Sequence, residues 1–482
     1  MDYKITGYEP EKLFHFFEEI SAIPRGSGNE KGISDYLVKF AKDRGLEVIQ
    51  DDAYNVVIKK AGSRGAEDHA PVMLQGHMDM VCEKRAGVEH DFEKDGLDLI
   101  IRDGRLTANG TTLGGDNGVA VALMLMVLDD DDPPVECVFT TEEEVGLNGA
   151  KALDKSVLKA RTMINMDSED EGVATVSCAG GLRVQFTKEI QRTTVQGSLL
   201  TLKVEGLLGG HSGQDIDKER QNADLLMARM IQRLLKETKG QLVSFNGGTK
   251  DNAIPRECEA SLIYESDEEA AKAEELACEL AETYAEELTP AEPDFSCEIS
   301  CETNRTAEAI PQDAAKEFIC AMRLAPNGIQ KRNIKMDGFV VVSLNLGVVR
   351  TEEDRIVMIF SPRSSVASLQ EDTKERLNTL AETFGFTVSH SSEYPGWSFK
   401  EDSPVREICK ESYKELFGED LKIEAIHAGL ECGLFSDAIK GLDAIAIGPT
   451  IANCHTPDEY LTLDSFERFY EFLKDILSRL AK

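Results

Sequence analysis

Three apolar segments of this sequence have the length and composition of buried strands, and each leads into residues that can bind a metal ion. Residues 72–74, 135–140 and 163–166 precede His77, a run of three glutamates and Asp167, respectively. Such segments alternate with helical ones, which favours a mainly parallel α/β sheet. Because ligands of these sheets lie beyond the carboxyl ends of the strands, we expect the side chains to meet at one edge. Several acids at one edge need neutralising, and a metal ion does this most simply.

The segment that contains His77 indicates how such a site is built. Pro71 and Gly76 flank the strand, and Asp79 follows His77 by two residues. Asp79 is close enough to accept a hydrogen bond from the imidazole nitrogen that faces away from a metal, and this bond would set the tautomer. On its own, the His-x-Asp pattern is more often that of a hydrogen-bonded structural histidine.

A further candidate ligand lies where an apolar helix begins. Residues 111–118 are rich in glycine and precede the apolar residues 119–128. Glycines let the backbone approach a ligand closely, and Asp116 would face the helix N-terminus.

Length, charge and cysteine content narrow the class of protein. A chain of 482 residues is too long for one compact core and indicates two or three domains. The formal net charge of −35 argues against a nucleic-acid partner and against an anionic membrane surface. Residues 1–17 lack the apolar core of a signal peptide, and no apolar run is long enough for a membrane span. Because the eleven cysteines are scattered singly, we expect a cytoplasmic protein.

A change of pattern divides the chain. The middle of the sequence has alternating, half-exposed strands and intervening helices, which indicate an α+β domain on a separate sheet. The last part returns to the α/β pattern. We therefore predict an α/β domain of residues 1–183 and 394–482, interrupted by an inserted domain of residues 184–393. Near the start, a helix at residues 10–20 is followed by a second helix that Asn29 can cap.

Histidines supply the nitrogen ligands of a candidate metal site. Of the eight histidines, His77 and His455 follow apolar strands of the α/β part. With Asp116, Glu144 and Asp167 they form a set of two imidazoles and three carboxylates. Such ligands suit Zn²⁺, with Co²⁺ or Mn²⁺ possible. Five ligands exceed the needs of one catalytic zinc ion, but they suit two metal ions that share a carboxylate.

Five motifs, in this order, resemble those of the di-zinc aminoacylase and carboxypeptidase metallopeptidase superfamily. They are Gly76-His77-Met78-Asp79, Leu113-Gly114-Gly115-Asp116-Asn117-Gly118, Glu143-Glu144-Val145-Gly146, Asn165-Met166-Asp167-Ser168-Glu169 and Cys454-His455-Thr456-Pro457-Asp458. Residues 251–257 and 427–433 are similar to its Xaa-His dipeptidase branch (aminoacyl-histidine dipeptidase or cytosol non-specific dipeptidase). The resemblance extends over nearly the whole chain. It implies a zinc-exopeptidase-like catalytic domain interrupted by an α+β lid.

The resemblance also implies a role for each ligand. Asp116 would bridge two Zn²⁺ ions, His77 and Asp167 would complete one site, and Glu144 and His455 would complete the other. It further implies a cis peptide bond directly after Asp116.

The run of three glutamates has to provide both a base and a ligand. Aligned on the valine and glycine that follow, the resemblance makes Glu143 the general base and Glu144 the ligand, and leaves Glu142 as a solvated acid. Glu143 would take a proton from a water activated by the metal pair and deliver it to the leaving amine. Asp79 joins the catalytic set through its bond to His77.

Substrate contacts are expected mainly from the inserted domain. His211 resembles the lid histidine that stabilises the oxyanion, and the alternative is a histidine of a turn. Asn252 and Arg363 match lid positions that hold the substrate. A guanidinium suits the C-terminal carboxylate of a dipeptide, whereas the alternative for Arg363 is a surface ion pair. Glu431 is a candidate for the substrate's amino group or for a structural role.

The resemblance also bears on assembly. In resembling dimers the lid histidine reaches the partner's site, while longer lids can supply it within one chain. We expect a homodimer that forms through the inserted domain.

Together these features predict a cytoplasmic di-zinc dipeptidase that hydrolyses Xaa-His and other unblocked dipeptides. One alternative is an amidohydrolase or deacylase of the same superfamily that acts on N-acyl amino acids. Another is a metal-dependent binding protein without turnover, which would have no need of a base such as Glu143 beside its ligands.

Overall fold

The computed structural model describes residues 3–62, 68–130, 133–334 and 338–481. Its strands are, in chain order, β1 (Glu47–Gln50), β2 (Val56–Lys60), β3 (Val72–His77), β4 (Leu99–Arg102), β5 (Arg105–Ala108), β6 (Val135–Thr140), β7 (Thr162–Asn165), β8 (Val173–Cys178), β9 (Gly180–Glu189), β10 (Thr193–Glu205), β11 (Gly210–His211), β12 (Gln241–Gly247), β13 (Ala253–Ile254), β14 (Cys258–Tyr264), β15 (Ser296–Ala309), β16 (Gly328–Arg332), β17 (Val340–Thr351), β18 (Arg355–Ser364), β19 (Thr387–Tyr394), β20 (Lys422–Ile426), β21 (Asp443–Ala446), β22 (Ile451–Ala452) and β23 (Tyr460–Thr462). Its α-helices are α1 (Glu11–Ser21), α2 (Lys31–Asp43), α3 (Gly115–Leu128), α4 (Asn148–Ala152), α5 (Ala223–Glu237), α6 (Asp267–Leu288), α7 (Gln312–Leu324), α8 (Ala367–Thr383), α9 (Pro404–Phe417), α10 (Glu431–Ala438) and α11 (Leu463–Leu480).

In the described ranges, an eight-stranded sheet runs through the first of two compact units, in the order β1-β2-β6-β3-β7-β21-β8-β20. This unit comprises Met1–Cys178, Trp397–Ala425 and Leu430–Lys482. Its central strands β6, β3, β7 and β21 are parallel neighbours. The flanking strands β1, β2 and β8 pair antiparallel. The predicted α/β fold with a mainly parallel sheet is confirmed.

The central strands of this sheet are covered on both faces. Every residue of β3 and of β6 is buried, as expected for parallel strands between layers of helices. Helix α3, which is apolar almost throughout, packs against β3 and α1 and is buried along nearly its whole length. Because β3 and α3 are anchored in the core, the residues at the end of β3 and the start of α3 have fixed positions.

The start of α2 differs from the expectation. Asn29 does not cap the helix: the N-cap is Glu30, and the Asn29 N–H donates to Gly26 O at 2.8 Å within a turn. The buried Glu30 carboxylate accepts the N–H groups of Gly28 and Glu142 at 3.0 and 3.1 Å. A contact with the segment after β6 therefore holds the start of this helix. Such a long-range contact cannot be predicted from the local sequence around Asn29.

The second compact unit comprises Ala179–Gly396 and the short segment Ile426–Gly429. Its main sheet has the order β15-β10-β14-β12-β17-β18-β9-β19, with β16 paired to β17. The pairings within it are antiparallel. One apolar core joins inward-facing residues of the strands to residues of α5, α6, α7 and α8. Burial alternates along β10, as predicted for the strands of this part of the chain. The half-exposed pattern is wrong for β14, β17 and β18, which are buried at nearly every residue and lie in the interior of the sheet.

Division into compact units cuts the chain after Cys178 and after Gly396, a few residues from the predicted boundaries at 183 and 393. Ile426–Gly429 belongs to the second unit, whereas the predicted boundaries place this segment in the α/β domain. The function of the second unit as a lid stays a prediction. Within the described ranges, no helix combines the length and the apolar character needed to cross a bilayer.

Candidate metal centre and catalytic residues

His77 and Asp116 form the middle of a cluster of metal-ligand side chains in the first unit. His77 is the last residue of β3, and its side chain is 1% exposed. Its Nε2 lies 3.0 Å from Asp116 Oδ1 and 3.5 Å from Asp167 Oδ1. Asp167 follows β7, the neighbour of β3, and its Oδ1 accepts a hydrogen bond from Asn117 Nδ2 at 3.1 Å. The parallel register of β3 and β7 thus brings His77 and Asp167 together, as the sequence predicted.

Asp116 presents its two oxygens to two different histidines. While Oδ1 faces His77, Oδ2 lies 3.1 Å from His455 Nε2. The same nitrogen of His455 lies 2.9 Å from Glu144 Oε1. The peptide bond between Asp116 and Asn117 is cis, as the resemblance implied. The five predicted ligands therefore form two groups, each with one histidine, that share Asp116.

Asp79 organises the loops around these ligands. His77 Nδ1 lies 3.1 Å from the carbonyl oxygen of Asp79 and 3.3 Å from its Oδ1, and this Oδ1 accepts the Glu143 N–H at 3.1 Å. Its Oδ2 accepts the hydroxyl of Ser27 at 2.8 Å and the Glu144 N–H at 3.4 Å. Burial by itself would raise the pKa of Asp79, but the bonds from His77, Ser27 and Glu143 outweigh it and lower the pKa. Asp79 therefore stays ionised, orients His77, and holds the backbone of the glutamate run.

Glu143 lies beside the ligands. Its carboxylate is grouped with ligand atoms of His77 and Glu144, all within 4.8 Å of one another. Burial, together with the charges of Asp167 and Glu431, raises its pKa well above the usual value, against the opposing effect of His77. Among the described residues, Glu142 is in none of the groups of metal-ligand side chains. Its Oε2 accepts a hydrogen bond from Asn148 Nδ2 at 2.9 Å, and it is half-buried rather than fully solvated.

The donor atoms of this cluster fit a pair of zinc-type cations. Ligands at the usual 2.0–2.1 Å around a tetrahedral zinc lie about 3.3 Å from one another, and the four nitrogen–oxygen separations at His77 and His455 are 2.9, 3.0, 3.1 and 3.5 Å. Glu144 Oε1 is buried and makes no hydrogen bond within the described residues, although it lies close to His455. Carboxylates held this close to one another require positive charge. The residues present therefore suit two cations bridged by Asp116.

His211, in the second unit, is held in one tautomer. It lies in the two-residue strand β11 and is half-buried. Its Nδ1 accepts the backbone N–H groups of Gly213 and Gln214 at 3.2 and 3.1 Å. Burial and the nearby charge of Arg363 lower the pKa of His211. The imidazole is therefore neutral, and its proton resides on Nε2, which can donate a hydrogen bond.

Arg363 and Asn252 also belong to the second unit. Arg363, in β18, is 7% exposed and donates from Nη1 to Tyr394 Oη at 2.9 Å. Its Nε is buried without a hydrogen-bond partner among the described residues, so the alternative of a surface ion pair is wrong. Asn252 is exposed, and its carbonyl accepts the Ser212 N–H at 2.8 Å next to His211.

Glu431, at the start of α10, is fully buried in the first unit. Its Oε2 accepts hydrogen bonds from Thr140 Oγ1 at 2.7 Å and from Gln75 Nε2. Burial raises its pKa to about 7. Its Oε1 has no partner in the part of the chain that the structure describes. This arrangement is compatible both with binding of a substrate's amino group and with a structural role.

Two buried charged residues of this centre were not found by the sequence analysis. Arg25 donates to the carbonyls of Met78 and Gly114, and Glu459 accepts N–H groups of the segment that leads into Asp116. A signal for Glu459 was its position directly after the motif that contains His455. Arg25 lies in a proline- and glycine-rich break between two helices, where no periodicity indicates burial.

Comparison with known proteins identifies the family of this chain. The model of Peptidase family M20/M25/M40 matches residues 73–479, most of the sequence. The chain belongs to this peptidase family.

Two relatives of this M20 protein match over nearly their whole length. The cytosol non-specific dipeptidase of Escherichia coli (strain K12) is 34% identical over 486 residues, which are 99% of this chain and 99% of that protein. The crystal structure of aminoacylhistidine dipeptidase from Vibrio alginolyticus has a TM-score of 0.93 at 34% identity and covers 99% of this chain and 98% of that one. The aminopeptidase PepT of Bacillus cereus ATCC 10987, at 16% identity and a TM-score of 0.57 over 98% of this chain and 100% of that one, shares the fold.

Proposed function

We propose that this M20 protein is a metal-dependent dipeptidase that hydrolyses Xaa-His and other unblocked dipeptides. The observation that carries the proposal is the placement of two imidazoles on opposite oxygens of Asp116, with Glu143 beside them. The full-length similarity to a cytosol non-specific dipeptidase and to an aminoacylhistidine dipeptidase supports the substrate class.

Two Zn²⁺ ions, or Co²⁺ or Mn²⁺, would be held by the two ligand groups. His77 and Asp167 would hold one ion, Glu144 and His455 the other, and Asp116 both. When bound, such ions would polarise the scissile carbonyl and lower the pKa of the attacking water. This role is supported by the grouping of the carboxylates and by the separation of 2.9 Å between Glu144 Oε1 and His455 Nε2.

Glu143 is the proton-transfer group of the proposed reaction. A carboxylate oxygen of Glu143 takes the proton of the attacking water and then delivers it to the nitrogen of the leaving amine. The N–H of Glu143 is bound by Asp79 Oδ1, which also faces His77 Nδ1. Asp79 therefore fixes the base and a metal ligand relative to each other, and joins Glu143 in the catalytic set.

His211 is the proposed donor to the oxyanion. Because Gly213 and Gln214 occupy its Nδ1, the proton on Nε2 can be donated to the carbonyl oxygen of the substrate as negative charge develops. His211 acts in the site of its own chain or in that of a partner.

Three side chains are proposed to bind a dipeptide, and two of them have atoms without a hydrogen-bond partner among the described residues. Arg363 would bind the C-terminal carboxylate, because its Nε is free of partners within the described residues and a guanidinium binds carboxylates with two parallel bonds. Asn252 would contact the substrate backbone. Glu431 would receive the substrate's amino group through its unpaired Oε1.

Turnover of matched substrates tests this function. Metal-stripped protein and protein restored with Zn²⁺ would be assayed on Ala-His and on N-acetyl-histidine. We expect hydrolysis of Ala-His only after metal is restored, and little hydrolysis of the acylated compound. Preferred hydrolysis of N-acetyl-histidine would identify a deacylase, and metal binding without turnover of either compound would identify a binding protein.

The proposed setting is a homodimer in the cytoplasm, formed through the second unit. The location is supported by the similarity to a cytosolic dipeptidase and by the eleven cysteines, all of which are free thiols. Sedimentation of the purified protein would give the mass of a dimer, and a monomer mass would contradict this assembly.

A further inference from the structure

The carboxylate of Glu459 binds four consecutive backbone N–H groups. Its Oε2 accepts the N–H of Leu113 at 2.7 Å and that of Gly114 at 3.0 Å. Its Oε1 accepts the N–H of Gly115 at 2.8 Å and that of Asp116 at 3.3 Å. Glu459 is 2% exposed, so these are buried, charge-assisted hydrogen bonds.

These four groups belong to the turn that carries the shared ligand. Asp116 is the second residue of α3, but its φ of −80° and ψ of 106° are not helical, so its N–H belongs to an irregular turn that precedes the regular part of the helix. The first N–H groups of a helix have no partner within it. Without Glu459, the turn would contain several buried donors and the positive end of a helix. One carboxylate therefore fixes the backbone from which the Asp116 side chain projects.

Glu459 also links this turn to a second ligand. It lies four residues after His455, and residues 460–462 form β23, which pairs with β22 and β5. The loop between β22 and β23 contains His455, whose backbone has a φ of +63°, in the left-handed region. The hydrogen bonds from the turn of Asp116 to Glu459 therefore connect the loop that contains His455 to the segment that contains Asp116, the carboxylate that His455 faces.

Arg25 makes the corresponding hydrogen bonds near the other histidine, His77. Its guanidinium donates to Met78 O at 3.1 Å, next to His77, and to Gly114 O at 2.5 Å. Gly114 and Gly115 lack a Cβ, which leaves space for the side chains of Arg25 and Glu459. A Cβ on Gly114 would lie 2.5 Å from the guanidinium, and a Cβ on Gly115 would lie 3.3 Å from Glu459 Oε1.

We infer that Glu459 is a positioning residue that sets the separation of the two metal sites, with Arg25 as its counterpart at His77. Neither side chain is in the group of metal ligands, and each acts through the backbone of residues 113–116. Preorganised by these bonds, Asp116 presents one oxygen to each imidazole before metal binds. The inference rests on the proposed two-metal function.

Metal binding by a matched pair of variants tests this role. Glu459→Gln removes the charge and places an amide NH₂ against backbone N–H groups. The control is Glu136→Gln, because Glu136 is likewise 2% exposed and accepts the N–H groups of Lys159 and Ala160 at 2.9–3.1 Å, with no part in the metal cluster. Metal-free wild type and both variants would be titrated with Zn²⁺ against a competing chelator, and with Co²⁺ for its absorption spectrum.

We expect Glu459→Gln to bind metal about 10–100-fold more weakly, the usual effect of losing a group that orients metal ligands, and to shift the Co²⁺ spectrum. Glu136→Gln should lose thermal stability to a similar degree but keep both metal affinities. Equal metal affinities in Glu459→Gln and wild type would overturn the inference. An equal loss in both variants would do so too, because it would reflect general destabilisation.

Amide hydrogen exchange of metal-free wild type provides a second measurement that does not depend on a variant. If Glu459 organises the turn before metal binds, the amides of residues 113–116 exchange slowly without metal. Fast exchange there would overturn the inference. Failure of the proposed function would look different: wild type itself would bind fewer than two ions or would not hydrolyse dipeptides.

Discussion

The stability of the second unit should depend on the protonation of Asp224, which is not a candidate site residue. Asp224 is fully buried in the first turn of α5. Neither of its carboxyl oxygens has a regular hydrogen-bond partner among the described residues, and its main polar neighbour is the thiol of Cys258. The strand residue beside it must be a glycine, since a Cβ on Gly247 would overlap Asp224 Oδ1 at 1.6 Å. Replacement by Asn keeps the shape of the side chain and removes its ability to ionise.

The magnitude follows from the pKa. Burial raises the pKa of Asp224 to about 8, while the Cys258 thiol and the charge of Arg350 act in the opposite direction. The unfolded chain titrates this carboxyl near its usual value of about 3.9. Because the folded pKa is raised, the folded protein binds more protons between these values, and its stability falls as the pH rises through them. One such group changes the free energy of unfolding by about 1.4 kcal/mol per pH unit, or roughly 4 kcal/mol between about pH 5 and pH 8.

Denaturant unfolding of wild type and Asp224→Asn at about pH 5.5, 6.5 and 7.5 measures this effect, because other titrating groups cancel in the difference. The stability of wild type relative to the variant should fall by about 2–3 kcal/mol over these two pH units. Asp372→Asn, at an exposed position of α8, serves as the control and should show no such trend. A constant difference between wild type and Asp224→Asn would refute the reasoning, since it would mean that the buried carboxyl does not hold its proton.

Three further predictions concern the metal centre. Asp116→Ala should lose most bound metal and nearly all activity, and elemental analysis that finds one metal ion per fully active chain would contradict the two-metal site. Glu143→Gln should keep both metal ions and lose about 10²–10⁴ in turnover, whereas Glu144→Gln should lose metal affinity first; an inactive but metal-replete Glu142→Gln would instead show that the base was assigned one residue too late. His211→Ala should keep the metal ions and lower kcat by about 10²–10³. Mixing His211→Ala chains with Glu143→Gln chains under subunit exchange should restore activity if the histidine acts in the partner's site. Full activity of the His211→Ala protein would remove this residue from the mechanism.

Much of the first unit could be predicted because its signals are local. The mainly apolar composition of β3 and β6 indicated buried strands, and parallel strands place their carboxyl ends at one edge. This edge is where His77 and Asp167 meet. Asp103-Gly104, between the short strands β4 and β5, is likewise a local signal, since this dipeptide is typical of a hairpin turn. The second unit was harder, since its exposed strand β15 and its helix α7 went unrecognised.

The sequence by itself determined which residues have the chemistry of a metal centre, because imidazoles and carboxylates at strand ends stand in short, recognisable motifs. Only the tertiary structure decided how these residues are held. Asp79 binds the backbone of Glu143, and Glu459 binds that of Asp116 from 343 residues away in the chain. Glu30, likewise, stands at the N-cap position of α2 without a side-chain capping bond, and its carboxylate accepts the N–H of Glu142. The physical reason is that a buried charge is stable only beside donors or opposite charges, and chain folding alone brings those partners to it.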